Sequence, residues 1–272
     1  MEVSLGGKAL QLAREGLFPV VSPGRRTATG LAVSGTLQGE GKLAGVPSLF
    51  LRLYGCNLNC VWQLDNGTLC PCDTPSAIMP DMPVTTVAVE TLAQTIAENM
   101  GILRHLVITG GEPFLQAQNL SQLLELLKAA IPDLHITIET NGTLFHRRTA
   151  ELSDLISISP KLLSAARGNP KKGKSAVCLP VLQEFLSLRY TNNHPDIQLK
   201  FVVAETQDER EISEILRQLH HFTSYDLLVM PLGATPEVLA STIPLALEMA
   251  IRNGWRFCPR MHITLFGNKE GV

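Results

Sequence analysis

No apolar run in this sequence approaches the length that spans a membrane, so no transmembrane helix is expected. Neither sign of charge dominates: 23 Lys and Arg stand against 25 Asp and Glu, a formal net charge of −2. There is thus no global basic field to recruit nucleic acid or a membrane surface. Aromatics make up 5% of the chain, and none interrupts the basic loop Arg167-Gly168-Asn169-Pro170-Lys171-Lys172-Gly173-Lys174. Without stacking platforms that loop reads as a solvated segment rather than an RNA site. Met1 to Pro19 carries Lys8, Arg14 and Glu15 but no continuous apolar stretch, and reads as neither signal nor anchor. Internal repeats and low-complexity tracts are missing. What is there is a 272-residue chain, 45% hydrophobic, with ample core for an α/β domain.

Four of the six cysteines fall in one stretch, Cys56-Asn57-Leu58-Asn59-Cys60 followed by Cys70-Pro71-Cys72-Asp73-Thr74-Pro75. The run Leu49-Phe50-Leu51-Arg52-Leu53-Tyr54 before it is β-prone, so the cysteines sit on a loop past a strand's C-terminal end. Parallel α/β sheets place their chemistry there. A chain this long and apolar needs no disulfides, and free thiols without export imply a reducing cytoplasm. Zinc takes four ligands in two close pairs, whereas nine residues part Cys60 from Cys70 and one parts Cys70 from Cys72. Three thiolates on an iron–sulfur cluster leave one iron open to another ligand. Cys178 and Cys258 stand alone and read as inert core residues.

Residues 1–30 read as an atypical lead-in before a domain spanning 31–272, with Ser22-Pro23-Gly24-Arg25-Arg26 as a solvated turn. Leu31–Leu37 is expected as a weak strand running into Gln38-Gly39-Glu40-Gly41. Val89, Leu92, Ile96 and Met100 recur at helical steps, as do Leu120, Leu123, Leu124 and Leu127, and Ile212, Ile215, Leu216 and Leu219. Between the helices lie short apolar strands at 106–109, 135–138, 155–158, 199–203 and 227–230. Pro236-Glu237 opens a helix that Asn253-Gly254 closes. His262–Phe266 is expected as a last strand, and Trp255, Phe257, Met261 and Leu265 as core. The alternation predicts parallel βα units, in one open or incomplete barrel whose loops share one face.

Those loops carry Gly110-Gly111-Glu112-Pro113, Glu139-Thr140-Asn141-Gly142 and Ser159-Pro160-Lys161. Each alone is an ordinary strand-end turn. Together with Cys56-x-x-x-Cys60 and Cys72-Asp73-Thr74 they resemble the radical S-adenosylmethionine (SAM) superfamily. More narrowly, they resemble the 7-carboxy-7-deazaguanine synthases of the pathway to queuosine, a modified tRNA nucleoside, and other deazapurines. The matches run from about Leu31 to Val272; the first thirty residues, the insert between Cys60 and Cys72 and the stretch 162–197 depart from the family. The usual third cysteine follows the second by three residues, and here eleven residues intervene.

The resemblance implies a radical SAM fold, an incomplete TIM-like barrel. It implies a [4Fe–4S] cluster on Cys56, Cys60 and Cys72, with Cys70 as a spare, and SAM held by Gly110, Gly111, Glu112, Ser159 and Lys161. The implied substrate is 6-carboxy-5,6,7,8-tetrahydropterin, contacted by Leu37, Gln38, Gly39, Thr109, Val272 and Arg52, whose guanidinium forks onto the carboxylate. Thr74 would bind Mg²⁺. The implied lyase reaction uses the cluster to cleave SAM to a 5′-deoxyadenosyl radical, which starts a ring contraction with loss of ammonia. An electron donor such as flavodoxin or ferredoxin is implied, and homodimers are usual in the family. A glycyl-radical activase and a zinc-stabilised binding module are the alternatives.

Overall fold

The structure is a computed structural model that describes residues 8–64, 66–168, 175–191, 194–267, 269 and 271. In chain order the elements are β1 (Ala9–Phe18), β2 (Thr36–Leu37), β3 (Pro47–Leu53), β4 (Val61–Gln63), β5 (Leu69–Pro71), β6 (Thr85–Ala88) and α1 (Val89–Met100). Next come β7 (His105–Gly110), α2 (Ala117–Ala130), β8 (His135–Thr140), α3 (Arg147–Glu151), β9 (Leu155–Ile158) and α4 (Leu179–Ser187). The last are β10 (Asp196–Val203), α5 (Gln207–Leu216), β11 (Leu227–Pro231), α6 (Pro236–Asn253), β12 (Arg256–Phe257) and α7 (Met261–Phe266).

One sheet runs β12-β11-β10-β9-β8-β7-β3-β1-β6, with β2 paired to β3. From β12 to β3 every pairing is parallel; β1 then pairs antiparallel with both β3 and β6. Among the described residues no pairing joins the two edge strands, so the sheet stays open. This is the mixed α/β architecture, mostly parallel, that the alternating pattern predicts. Strands β7, β9 and β11 are mostly apolar rather than alternating because they are buried along nearly their whole length, on both faces. The stripes Val89, Leu92, Ile96, Met100 and Leu120, Leu123, Leu124, Leu127 are all buried in one core.

Three expectations are corrected. Residues 9–18 of the lead-in are not peripheral: they form β1, inside the sheet. Its alternation is hidden by a bulge between Leu12 and Leu17, where Gly16 takes φ +56. Only Thr36–Leu37 of the 31–37 run is strand; Leu31 and Val33 are exposed, and Gly35 turns the chain. The 262–266 tail is helix α7, with the Thr264 and Gly267 amides bonded back to Arg260 and Ile263. It buries Ile263 alone, so Leu265 is exposed and Trp255, Phe257 and Met261 are only half-buried. Helix α4 lies in the 162–197 stretch that the sequence left unassigned.

His105 opens β7 in the buried layer, with Nδ1 against Ser48 Oγ at 2.7 Å and Nε2 against Thr137 Oγ1 at 2.8 Å. Both hydroxyls can adapt to a neutral ring. Burial, and the neighbouring His135, hold its pKa at about 4 rather than 6.5. The unfolded chain takes up the proton first, so stability should fall as pH falls from 6.5 towards 4, by about 3 kcal/mol at the end of that window. In denaturant titrations from pH 7 to 4, His105→Gln should flatten this part of the slope. An unchanged slope would place the acid sensitivity elsewhere.

Candidate active site

A cavity of ≈ 270 Å³ opens at the C-terminal ends of the parallel strands. Strand β3 delivers Arg52 and then the cysteine loop, and Cys56, Cys60 and Cys72 all line the cavity. The eleven residues between Cys60 and Cys72 turn out to be a hairpin. Strands β4 and β5 pair Val61 with Pro71 and Trp62 with Cys70, and the Cys72 amide donates to the Cys60 carbonyl at 3.0 Å. The insert therefore returns Cys72 to the side of Cys60. Cys70 packs with Cys60 against Trp62, Ala165 and Leu232, and does not line the cavity.

The cysteines are free thiols. Burial pushes the Cys56 thiol up, although the Leu58 amide (3.4 Å) and the Asn141 side chain (3.9 Å) donate to its sulfur. Burial, with Asp73 adding to it, pushes Cys72 to about 12. Among the described residues no three His, Cys, Asp or Glu side chains converge as a single ion requires. A cluster, with a separate iron for each thiolate, does not need that convergence. The donor set fits such a group.

Gly110-Gly111 closes β7 against this loop. A Cβ on Gly110, at φ +139, would lie 2.1 Å from the Leu53 carbonyl, and one on Gly111 would lie 2.0 Å from that of Gly55. Both glycines are required by backbone packing alone. Glu112, expected on SAM, is fully buried and does not line the cavity. Its carboxylate accepts from the Phe114 amide (3.0 Å), the Thr140 hydroxyl (2.8 Å) and the Asn141 amide (2.7 Å). Those donors, together with the bond from its amide to Gly55 O, make Glu112 a brace between β7, β8 and the cysteine loop. Burial, its largest influence, raises its pKa.

The remaining expected residues, Leu37, Gln38, Gly39, Arg52, Thr74, Thr109, Ser159 and Lys161, all line the cavity. Lys161 Nζ donates to Ser159 Oγ at 2.6 Å. Arg52 Nη1 donates to Thr74 Oγ1 at 3.4 Å. Val272 and residues 169–174 of the basic loop lie outside the described residues.

Paired charges, with no individual role legible from the sequence, also line the cavity. Glu40 is bound by Lys200 and by Arg260 Nε (2.9 Å), and Arg260 also meets Asp73 and the Gly233 carbonyl. Burial opposes ionisation of Glu40, but Lys200 and Arg260 outweigh it and hold its carboxyl well below the usual range. Likewise Arg260 outweighs burial at Asp73. Gln38 Nε2 donates to Glu139 at 3.2 Å, and Lys200 stands 4.0 Å from the same carboxylate. Burial pulls the pKa of nearby His262 down. Lys200 was discoverable: a lysine inside Ile197-Gln198-Leu199-Lys200-Phe201-Val202-Val203 must carry its charge into a buried layer and find a partner there. Arg260 caps α7 and His262 lies in its first turn, and neither carries such a signal.

Residues 51–164 match the radical SAM superfamily. Over 258 residues the chain is 34% identical to the 7-carboxy-7-deazaguanine synthase of Rhodopirellula baltica, covering 91% of each. The chain belongs to the 7-carboxy-7-deazaguanine synthase family of radical SAM enzymes. The family's Halobacterium salinarum member is 35% identical over 243 residues, 86% of this chain and 88% of its own. The fold is also that of the crystal structure of QueE from Escherichia coli, at a TM-score of 0.62 and 24% identity, covering 93% and 95% of the two chains. Radical SAM membership implies a [4Fe–4S] cluster and SAM as cofactors, and the superfamily match spans the three cysteines and Ser159–Lys161. No helix among the described residues is long and apolar enough to cross a membrane.

Proposed function

We propose that the chain converts 6-carboxy-5,6,7,8-tetrahydropterin to 7-carboxy-7-deazaguanine and ammonia, a step towards queuosine and related deazapurines. Product plus ammonia carries the atoms of the substrate, so the step needs no net oxidant. The observation that carries the reading is the single cavity in which three thiols face a floor of paired charges. When bound, the cluster and SAM supply the radical that takes a hydrogen atom from the pterin. Cys56, Cys60 and Cys72 would hold the cluster. Gly110, Gly111, Ser159 and Lys161 form the SAM side, with Glu112 bracing the turn. Arg52 takes the carboxylate, and Leu37, Gln38, Gly39, Thr109 and the Glu40–Lys200–Glu139 series face the ring's polar edges. Val272 completes the expected contacts. The cytoplasm, a flavodoxin or ferredoxin donor and a homodimer belong to the same reading.

Anaerobic incubation of the reconstituted protein with SAM, a reductant and the carboxylated pterin, read by mass spectrometry, tests it. 5′-Deoxyadenosine without loss of pterin would point to another substrate, as an activase reading requires.

Thr74 Oγ1 lies at the cavity edge, 3.3 Å from Asp73 Oδ1. Arg260 takes Asp73 Oδ2, and Thr74 Oγ1, which donates to Asp73 Oδ1 and accepts from Arg52, keeps a lone pair for Mg²⁺. Thr74→Ala should raise the Mg²⁺ concentration for half-maximal turnover roughly tenfold, while the visible spectrum is kept. An unchanged metal titration would remove Thr74 from the Mg²⁺ site.

A further inference from the structure

Strand β1 pairs Leu12 with Leu53 and then Leu17 with Leu51. Residues 13–16 of β1 therefore stand opposite a single residue of β3, Arg52. The bulge brings the Glu15 carboxylate, 7% exposed, to 3.7 Å from Arg52 Nε. Glu15 is fixed there: Ser76 Oγ donates to the same oxygen at 2.8 Å. Beyond the bulge, Phe18 supports the guanidinium, 5.0 Å below it, and stacks on Phe50 in turn. Arg52 is thus held at its Nε edge, beneath its plane and, through Thr74, at Nη1. Glu15, Phe18, Arg52 and Thr74 all line the cavity.

An unaccompanied arginine fork binds phosphate as readily as carboxylate. Here a counter-charge is already built in. Arg14 meets the other Glu15 oxygen at 3.6 Å, but it is half exposed and water screens it. Before an anion arrives the Arg52–Glu15 pair is close to neutral. A monoanion is attracted by the near guanidinium; a second negative charge gains little from it and is repelled by Glu15.

We propose that Glu15 is a positioning residue that sets the charge selectivity of the site, so that Arg52 accepts a single carboxylate and refuses a dianionic phosphate. This rests on the reading of Arg52 as the carboxylate site. It gives β1 a role in substrate choice, excluding phosphorylated pterins in favour of the carboxylated one.

The test uses the reconstituted enzyme with SAM, titrated with pterin-6-carboxylate and inhibited by inorganic phosphate at fixed ionic strength. In Glu15→Gln, phosphate should compete on the order of tenfold more tightly, and kcat/KM for the carboxylated substrate should fall. SAM affinity should be unchanged. Glu15→Asp keeps the charge and should restore most of the discrimination. A purely structural role for Glu15 would weaken both anions together. Ser76→Ala, which loosens the carboxylate without removing it, should shift the ratio the same way by roughly twofold, and it carries the test if Glu15→Gln does not fold. An unchanged ratio of phosphate to carboxylate affinity in a folded variant overturns the proposal. Failure of the wild-type protein to bind pterin-6-carboxylate would instead strike the Arg52 reading beneath it.

Discussion

Alanine at Cys56, Cys60 or Cys72 is expected to abolish both the visible absorbance of the reconstituted protein and SAM cleavage, whereas Cys70→Ala should leave both largely intact. The hairpin makes the distinction. Cys72 returns beside Cys60 by its amide bond to the Cys60 carbonyl, and all three thiols line the cavity. Cys70 lies across from Trp62 and packs towards Ala165 and Leu232. On the proposed ligand set of three thiolates, loss of one leaves two irons without protein thiolates, and among the described residues no fourth thiol lines the cavity to substitute. The thiols of Cys56 and Cys72 are raised by burial, so cluster assembly must displace their protons and should quicken as pH rises through the mildly alkaline range. Anaerobic reconstitution of the four variants, followed by absorbance and 5′-deoxyadenosine, decides the matter. A colourless Cys70→Ala protein beside a brown Cys60→Ala protein would reassign the ligands.

The parallel strands were legible because each is a short apolar run closed by a polar or glycine turn. The site was legible because the turns carrying chemistry all end such strands. The hairpin was legible in part: Asn66-Gly67 between Val61–Gln63 and Leu69–Pro71 is a strong hairpin signal, but the strands it joins have only three residues each. Strand β1 was hidden for the reason that makes it useful. A bulge that places four residues against one destroys the period of two on which strand recognition rests. Glu112 shows a different limit. Its position after two glycines suggests a ligand contact, yet the fold uses the carboxylate to tie three segments together, and only the partners from Thr140 and Asn141, far away in sequence, reveal it. The Asp73–Arg260–Glu40–Lys200 series likewise joins four segments by long-range pairing.

Arg52→Lys should keep the cluster and SAM affinity but weaken pterin binding roughly ten- to a hundredfold. The guanidinium is held above Phe18 at 5.0 Å, against Glu15 at 3.7 Å and beside Thr74 at 3.4 Å, so its orientation is set before the substrate arrives. An ammonium offers neither the planar surface nor two parallel N–H bonds. A charge-assisted hydrogen bond contributes about 1.5–3 kcal/mol, and losing one of the pair accounts for the expected change. In the proposed assignment the SAM side comes from the ends of β7 and β9, and Arg52 lies on the strand before the cysteine loop, so SAM cleavage uncoupled from the pterin should persist. Paired calorimetric titrations of SAM and of the carboxylated pterin against both proteins, without oxygen, separate the two affinities. Equal pterin affinity in the two proteins would remove Arg52 from the substrate site. A drop confined to the pterin, with SAM unchanged, is the signature of a carboxylate fork lost from an otherwise intact cavity.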